Sequence, residues 1–269
     1  MDSAAEVDDT PRRLPIVAGN WKMHYGPGAA REFARSLLDG LTSISGVECV
    51  LCPPFVSLPA VHAVLAGSSV ELGAQNMHFE EKGAYTGEIS PTMLRELCRY
   101  VILGHSERRS YFGETDELVN KKAQAAFTHG LKPIVCVGER LEERDANLTE
   151  RVITTQVHGS LANLPSNQLS DLVVAYEPIW AIGTGRAATA EDAEDAAAII
   201  RALLREMYGV TAANSVRIQY GGSVTPANIA DFAALPDIDG SLVGGASLKV
   251  DFIDIVHITA DVRSSQYQQ

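Results

Sequence analysis

Short apolar runs alternate with amphipathic stretches along nearly the whole chain from residue 14 onward. The runs are rich in Val, Ile and Leu, which is typical of strands buried on both faces of a parallel sheet. The segments between them place apolar residues three and four positions apart, as on one face of an α-helix. The eight runs occur at 14–18, 47–52, 70–74, 100–103, 133–137, 172–176, 216–220 and 241–243.

The amphipathic stretches predict helices that pack against such a sheet. Apolar residues recur in steps of three and one at 30–41 and again at 196–207. Residues 116–127, with Thr115 as the N-cap, and residues 146–161 also predict helices. Eight strand–helix units predict an α/β protein with a single closed (β/α)8 barrel. The alternative, a doubly wound open sheet, favours fewer strands and a glycine-rich dinucleotide turn that the first turn of this chain lacks.

The chain divides into one large domain and two short tails. The predicted barrel occupies residues 12–262, and no linker-like or low-complexity stretch interrupts it. Residues 1–11 are polar and acidic and are predicted to be a disordered tail. Residues 263–269 are predicted to be a polar C-terminal tail.

Composition excludes several classes of function. The 269 residues include 22 Lys and Arg against 34 Asp and Glu, a net charge of −12, whereas nucleic-acid backbones are bound by clustered cations. No apolar run approaches the roughly 18 residues of a membrane span. The first ten residues lack the apolar core of a secretory signal. We therefore expect a cytoplasmic protein with reduced cysteines and neither nucleic-acid nor membrane partners.

Three polar side chains follow predicted strands, at the end of the barrel where this fold carries its chemistry. Lys22 follows the first run, His105 the fourth and Glu177 the sixth. Taken singly, the lysine reads as a solvated charge and the histidine as a capping or packing residue. A carboxylate at the end of a buried strand is harder to explain, because its burial is costly or shifts its pKa. Together the three predict a catalytic site.

Glycine-rich turns follow the last three runs. They read Gly183-Thr184-Gly185, Gly221-Gly222-Ser223 and Gly244-Gly245-Ala246. Glycine lets backbone N–H groups approach an anion closely. The loops after strands seven and eight are the usual phosphate site of such a barrel. A phosphate-bearing substrate is therefore predicted.

Seven segments closely resemble the triosephosphate isomerase family and together span residues 14–258. The resemblance implies a TIM barrel that interconverts dihydroxyacetone phosphate and D-glyceraldehyde 3-phosphate through an enediolate, in glycolysis and gluconeogenesis. It also implies that the reaction requires no organic cofactor and no metal. The matching segments are 18–23, 73–76, 87–90, 104–109, 175–185, 220–223 and 243–248.

The resemblance gives each residue of the site an expected role. Glu177 would be the base that moves the carbon proton. His105 would donate a hydrogen bond to the enediolate oxygens and be kept neutral by the helix N-terminus that follows it. Lys22 and Asn20 would flank the phosphate and the developing oxyanion. The expected phosphate ligands are Gly183, Ser223, Gly244 and Gly245. Ser106 would hold Glu177 in the open state. The other expected supporting residues are Glu107, Cys136, Ile182, Tyr220 and Leu242.

Residues 178–188 resemble the family's lid loop. Pro178, Ile179 and Trp180 would form the entry hinge and Ile182 the apolar tip that closes over the base and excludes water. The exit hinge reads Arg186-Ala187-Ala188, where a lysine followed by a larger residue is more usual in the family.

The long loop after the third run, residues 75–90, bears on assembly. In the family this loop inserts into a neighbouring subunit. Thr86 would therefore lie beside the other active site, with Gln75 and Glu88 supporting the contact. The resemblance implies a homodimer.

Two other functions are compatible with a barrel of this kind. A class I aldolase needs a Schiff-base lysine near the sixth strand, where this chain has Glu177. A phosphate-binding or adhesion protein without activity would not need the intact catalytic set. Cys49 and Cys52 have metal-ligand spacing but lie in one predicted strand with their side chains on opposite faces, so no metal site is expected.

Overall fold

The chain folds into a closed barrel of eight parallel strands, which confirms the predicted fold. The structure is a computed structural model that describes residues 13–182 and 188–266. Each strand pairs with the next along the chain, and the eighth pairs with the first. The strands are β1 (Ile16–Asn20), β2 (Glu48–Cys52), β3 (Glu71–Ala74), β4 (Tyr100–Leu103), β5 (Lys132–Val137), β6 (Val173–Tyr176), β7 (Arg217–Tyr220) and β8 (Gly240–Val243).

Helices connect successive strands and cover the outside of the barrel. Short 3₁₀ helices at Phe55–Ser57, Ser166–Asp171, Ile179–Ala181 and Gly245–Leu248 supplement them. In the described residues the α-helices are α1 (Pro27–Thr42), α2 (Leu58–Leu65), α3 (Pro91–Leu94), α4 (Ser106–Phe112), α5 (Asp116–Thr128), α6 (Leu141–Asp145), α7 (Thr149–Leu161), α8 (Ala190–Tyr208), α9 (Val210–Ser215), α10 (Ile229–Ala233) and α11 (Phe252–Gln266).

Two helix boundaries differ from the sequence prediction. The helix predicted at 146–161 begins only at Thr149, because Asn147 has a left-handed backbone with φ of 56° and separates α7 from α6. The polar C-terminal tail predicted at 263–269 is wrong for residues 263–266, which continue α11. Arg263 is buried there and donates a hydrogen bond to Asp239 at 2.9 Å. The predicted tail at 1–11 lies outside the described residues.

Two apolar layers hold the strands in place. Alternate residues of each strand face the barrel interior or the surrounding helices. Ile102, Ile134 and Ala175 belong to the interior cluster, which also contains Cys52. Cys49 belongs instead to the layer between sheet and helices, so the two cysteines lie on opposite faces of β2 as predicted. The described residues include no group of three or more His, Cys, Asp or Glu arranged to hold a metal ion.

The helices in the described part of the chain are all too short or too polar to cross a lipid bilayer.

Candidate active site

A cavity of about 370 Å³ lies at the carboxyl ends of the strands. It is formed by the loops that follow β1, β4, β6, β7 and β8, which lie at one rim because the strands of the closed barrel are parallel. The predicted residues that line it are Asn20, Lys22, His105, Glu177, Ile182, Ser223, Leu242, Gly244 and Gly245.

Glu177 follows β6 directly, and its carboxylate is held by the loop after β4. The side chain is almost fully buried. Its Oε1 atom lies 3.0 Å from Nε2 of His105, and its Oε2 atom accepts a hydrogen bond from the Ser106 backbone N–H at 3.0 Å. The Ser106 hydroxyl donates to Oε1 at 3.3 Å. A buried carboxylate with these donors is fully satisfied without substrate.

The two groups shift one another's pKa. Burial raises the pKa of Glu177, but His105 and the Ser106 N–H lower it further, so the net pKa lies below the ordinary value. Burial lowers the pKa of His105, but the Glu177 carboxylate raises it, and the net shift is upward. The helix N-terminus that sequence analysis invoked is therefore opposed by the carboxylate in this arrangement.

The tautomer of His105 follows from its backbone contact. The Glu107 backbone N–H donates to Nδ1 of His105 at 3.2 Å, at the start of α4. In the neutral ring Nδ1 is then the acceptor, and the ring proton lies on Nε2. That proton faces Glu177 and the cavity.

Lys22 occupies a strained backbone position at the rim. Its φ of 51° lies in the left-handed region that non-glycine residues seldom adopt. Its N–H donates to Oδ1 of Asn20 at 3.0 Å, and its carbonyl accepts from Nε2 of Gln75 at 2.9 Å. Its ammonium donates to Oε1 of Glu107 at 2.7 Å. Contacts on three sides hold a conformation of the kind that clusters at functional sites.

The turns after β7 and β8 also line the cavity. Ser223, Gly244 and Gly245 lie there. A Cβ atom at position 244 would lie 3.5 Å from the Lys22 Cε atom, so the turn after β8 lies directly beside the lysine side chain. Gly183 and the first two residues of the predicted exit hinge lie outside the described residues.

Of the supporting residues, Ser106 and Cys136 adjoin Glu177, whereas the loop residues do not. Burial and the neighbouring Glu177 carboxylate raise the pKa of the Cys136 thiol well above its ordinary value. The buried Tyr220 hydroxyl has no hydrogen-bond partner among the described residues. Gln75 contacts the loop of its own chain that carries Lys22. Thr86 and Glu88 lie in an exposed stretch outside the cavity.

Comparison with known proteins identifies the family. The family model for triosephosphate isomerase matches residues 15–259. The chain belongs to the triosephosphate isomerase family. The resemblance drawn from the seven segments is thereby confirmed, and with it the prediction that the chain is an enzyme.

Curated relatives named triosephosphate isomerase match over nearly their whole length. That of Carboxydothermus hydrogenoformans is 57% identical over 240 residues, which cover 89% of this chain and 96% of the relative. That of Chloroflexus aurantiacus is 55% identical over 247 residues, 91% of this chain and 99% of the relative. That of Moorella thermoacetica is 57% identical over 247 residues, 91% of this chain and 98% of the relative.

The barrel also contains two polar residues at or near the cavity that the sequence did not predict. Lys249 lines the cavity just beyond the last matching segment. Glu139, fully buried, accepts hydrogen bonds from the Tyr176 hydroxyl at 3.1 Å and from Nε1 of Trp180 at 2.8 Å. Its position two residues after β5 is a signal of the kind that identified Glu177. The other lining residues are Gly221, Gly222 and Ala246, which lie in the predicted phosphate turns, and Val224 and Thr225, which the sequence did not single out.

Proposed function

We propose that this chain interconverts dihydroxyacetone phosphate and D-glyceraldehyde 3-phosphate by moving a proton between adjacent carbons, with Glu177 as the base. The observation that carries the proposal is the convergence of a buried carboxylate, an imidazole and an ammonium group on one cavity. Glu177 and His105 are in direct contact there, and Lys22 lines the same cavity.

The substrate's phosphate binds between Lys22 and the glycine turns after β7 and β8. Lys22 supplies positive charge in a chain whose net charge is −12. The backbone N–H groups of Gly244 and Gly245, with Ser223 and Gly183, supply donors to the phosphate oxygens. Asn20 orients the lysine, because its side-chain oxygen accepts from the Lys22 N–H.

Proton transfer requires Glu177 to leave Ser106 and reach the substrate carbon. As the carboxylate departs, its upward effect on the pKa of His105 falls, and the neutral ring with its proton on Nε2 donates to the carbonyl oxygen. Lys22 stabilises the negative charge that develops on that oxygen. Glu177 then returns the proton to the neighbouring carbon. Nε2 of His105 protonates the former carbonyl oxygen and takes up the proton of the adjacent hydroxyl, so both the carbon-bound and the oxygen-bound proton are accounted for.

The lid of residues 178–188 closes over the enediolate and excludes water, which otherwise promotes loss of phosphate. Ile182 already lines the cavity, and Trp180 in the entry hinge donates to buried Glu139. Closure therefore brings an apolar side chain over Glu177 and removes competing hydrogen bonds from water.

We also propose that the chain acts as a homodimer. Large apolar side chains are exposed in the segments that follow β1, β2, β3 and β4 at the rim, and these four strands are neighbours in the barrel. Their loops therefore share one side of the rim, as an interface requires. The side chains are Met23 at 94% exposure, Val56 at 69%, Tyr85 at 45%, Tyr111 at 80% and Phe112 at 68%. Thr86, in the same surface, would reach the partner's site.

A cytoplasmic location, without nucleic-acid or membrane partners, completes the proposal. The four cysteines are free and buried, as in reducing compartments. The net charge of −12 disfavours binding to phosphate backbones.

A coupled assay that follows NADH while the purified chain converts D-glyceraldehyde 3-phosphate tests the activity directly. We expect rapid turnover that inorganic phosphate inhibits competitively, and loss of turnover in Glu177→Gln. Borohydride added with substrate separates the aldolase alternative, because only a Schiff-base lysine would be trapped covalently. Covalent trapping, or wild-type turnover in Glu177→Gln, would contradict the proposal.

A further inference from the structure

We propose that Gln156 is a positioning residue that holds the catalytic carboxylate in place through the backbone of Gly138. The inference rests on the proposed role of Glu177 as the base. Gln156 lies on α7, outside the barrel, and does not line the cavity. Its effect on the reaction must therefore pass through the backbone that it contacts.

Residues 137–139, at the end of β5 and just beyond it, are hydrogen-bonded to both the base and the entry hinge. The Glu177 N–H donates to the carbonyl of Val137 at 2.8 Å, and the Ile179 N–H donates to the carbonyl of Glu139 at 3.1 Å. These bonds continue the ladder between β5 and β6 past the ends of both strands. Any displacement of this segment is thus passed to Glu177.

Gly138 lies directly against the backbone of Glu177. A Cβ atom at position 138 would lie 1.9 Å from the Glu177 carbonyl oxygen and 2.6 Å from its carbonyl carbon. Only glycine allows the two segments to approach so closely. Because the two backbones are in direct contact, a movement of Gly138 would also move Glu177.

The other side of Gly138 lacks a neighbouring strand. The ladder between β4 and β5 ends at the pair Leu103 and Val135, and the chain then turns away toward His105. The N–H and C=O of Gly138 point to this vacated side, since the carbonyls of Val137 and Glu139, one position before and after it, accept hydrogen bonds from the segment that follows β6. Buried backbone groups require partners, so something must replace the strand.

The side-chain amide of Gln156 takes the place of the missing neighbouring strand. Its Oε1 atom accepts from the Gly138 N–H at 2.7 Å, and its Nε2 atom donates to the Gly138 carbonyl at 3.1 Å. A carboxamide offers one acceptor and one donor side by side, as a strand residue does. Loss of both bonds would leave two buried polar groups unpaired and release the segment that supports Glu177.

The test uses Gln156→Met, which keeps the length of the side chain and removes both hydrogen bonds. We expect kcat to fall about 10- to 100-fold, since a 1 Å misplacement of a catalytic group costs on the order of 100-fold. Inhibition by inorganic phosphate should change by less than about 2-fold, because the phosphate site is untouched. Amide hydrogen exchange at Gly138 should accelerate.

Two further variants complete the test. Gln124→Met makes the same change on the exposed face of α5, where the only bond of the side chain to another described residue is to Asn120, and should retain wild-type kcat. Gln156→Glu keeps the acceptor but loses the donor and should give an intermediate kcat. Gln156→Glu also tests the inference if Gln156→Met does not fold.

Unchanged kcat in folded Gln156→Met, or an equal loss of kcat and phosphate affinity, would overturn the inference. An unchanged exchange rate at Gly138 would show that the backbone connection is absent. Failure of the wild-type chain to isomerise would instead count against the proposed function, and the exchange experiment distinguishes the two.

Discussion

Before substrate binds, the polar side chains of this site form hydrogen bonds or ion pairs with neighbouring residues. The Glu177 carboxylate accepts from Ser106 and contacts His105, and the Lys22 ammonium donates to Glu107. Substrate must exchange these contacts for its own, so the groups are held close to where they act. Catalysis then depends on small, defined movements of a few atoms.

Shortening the base tests this dependence. Glu177→Asp withdraws the carboxylate by one methylene, and we expect kcat to fall about 100-fold. The affinity for inorganic phosphate should stay near that of the wild type, because the carboxylate does not contact the phosphate. Steady-state kinetics with phosphate as a competitive inhibitor measures both quantities, and undiminished turnover would contradict the role of Glu177.

At the scale of elements, the apolar pattern predicts the barrel more reliably than the ends of its strands. The run at 100–103 coincides with β4, whereas β1 extends to Asn20, whose buried polar side chain no hydrophobic pattern includes. At the site, the residues that lie in the seven matching segments could be predicted from the sequence. Gln156 could not, because a polar residue on an amphipathic helix is normally interpreted as a solvent-facing position.

Tyr25 connects two of the loops that form the site. Its backbone is left-handed, with φ of 66°, and its hydroxyl donates to the Leu248 carbonyl at 2.9 Å. The Ser57 hydroxyl donates to the Tyr25 carbonyl at 2.8 Å. The loop that carries Lys22 is thus tied to the 3₁₀ helix Gly245–Leu248 on the phosphate side.

Tyr25→Phe should loosen the phosphate site while keeping the aromatic packing. We expect KM for triose phosphate to rise about 3- to 10-fold, the equivalent of one hydrogen bond, with a smaller change in kcat. Wild-type kinetics in Tyr25→Phe would show that the Tyr25 hydroxyl does not support the site.

For the whole molecule, acid stability depends on buried carboxylates paired with cations. Burial raises the pKa of Glu114, but Lys122 and Arg108 lower it further, so its net pKa is below the ordinary value. A carboxyl group whose pKa is depressed by folding stabilises the fold above its unfolded pKa. That stabilisation is lost as the pH falls through the folded pKa.

We therefore expect the free energy of unfolding to decline as the pH drops below about 4. Glu114→Gln should lower it by up to about 3 kcal/mol at neutral pH, because Lys122 loses its charged partner. The same variant should decline less steeply in acid. Urea unfolding between pH 7 and pH 3 measures both effects, and parallel curves for the two proteins would exclude this contribution.

Assembly is the other property of the whole molecule that can be tested. Phe112→Glu places a charge within the exposed apolar surface, and we expect sedimentation to show monomers with reduced activity on dilution. Val210→Glu is the control, since Val210 is 57% exposed on α9 and away from that surface. A wild-type chain that sediments as a fully active monomer at assay concentration would refute the dimer.

The contacts of Asp239 have a consequence for engineering. Arg13 and Arg263 reach the same oxygen of this carboxylate, at 2.7 and 2.9 Å, although they are 250 positions apart. Both lie at the end of the barrel where strands begin, far from the mouth. A short linker peptide could join these two regions of the chain. New termini opened elsewhere would then give circular permutants in which the catalytic cavity is unchanged.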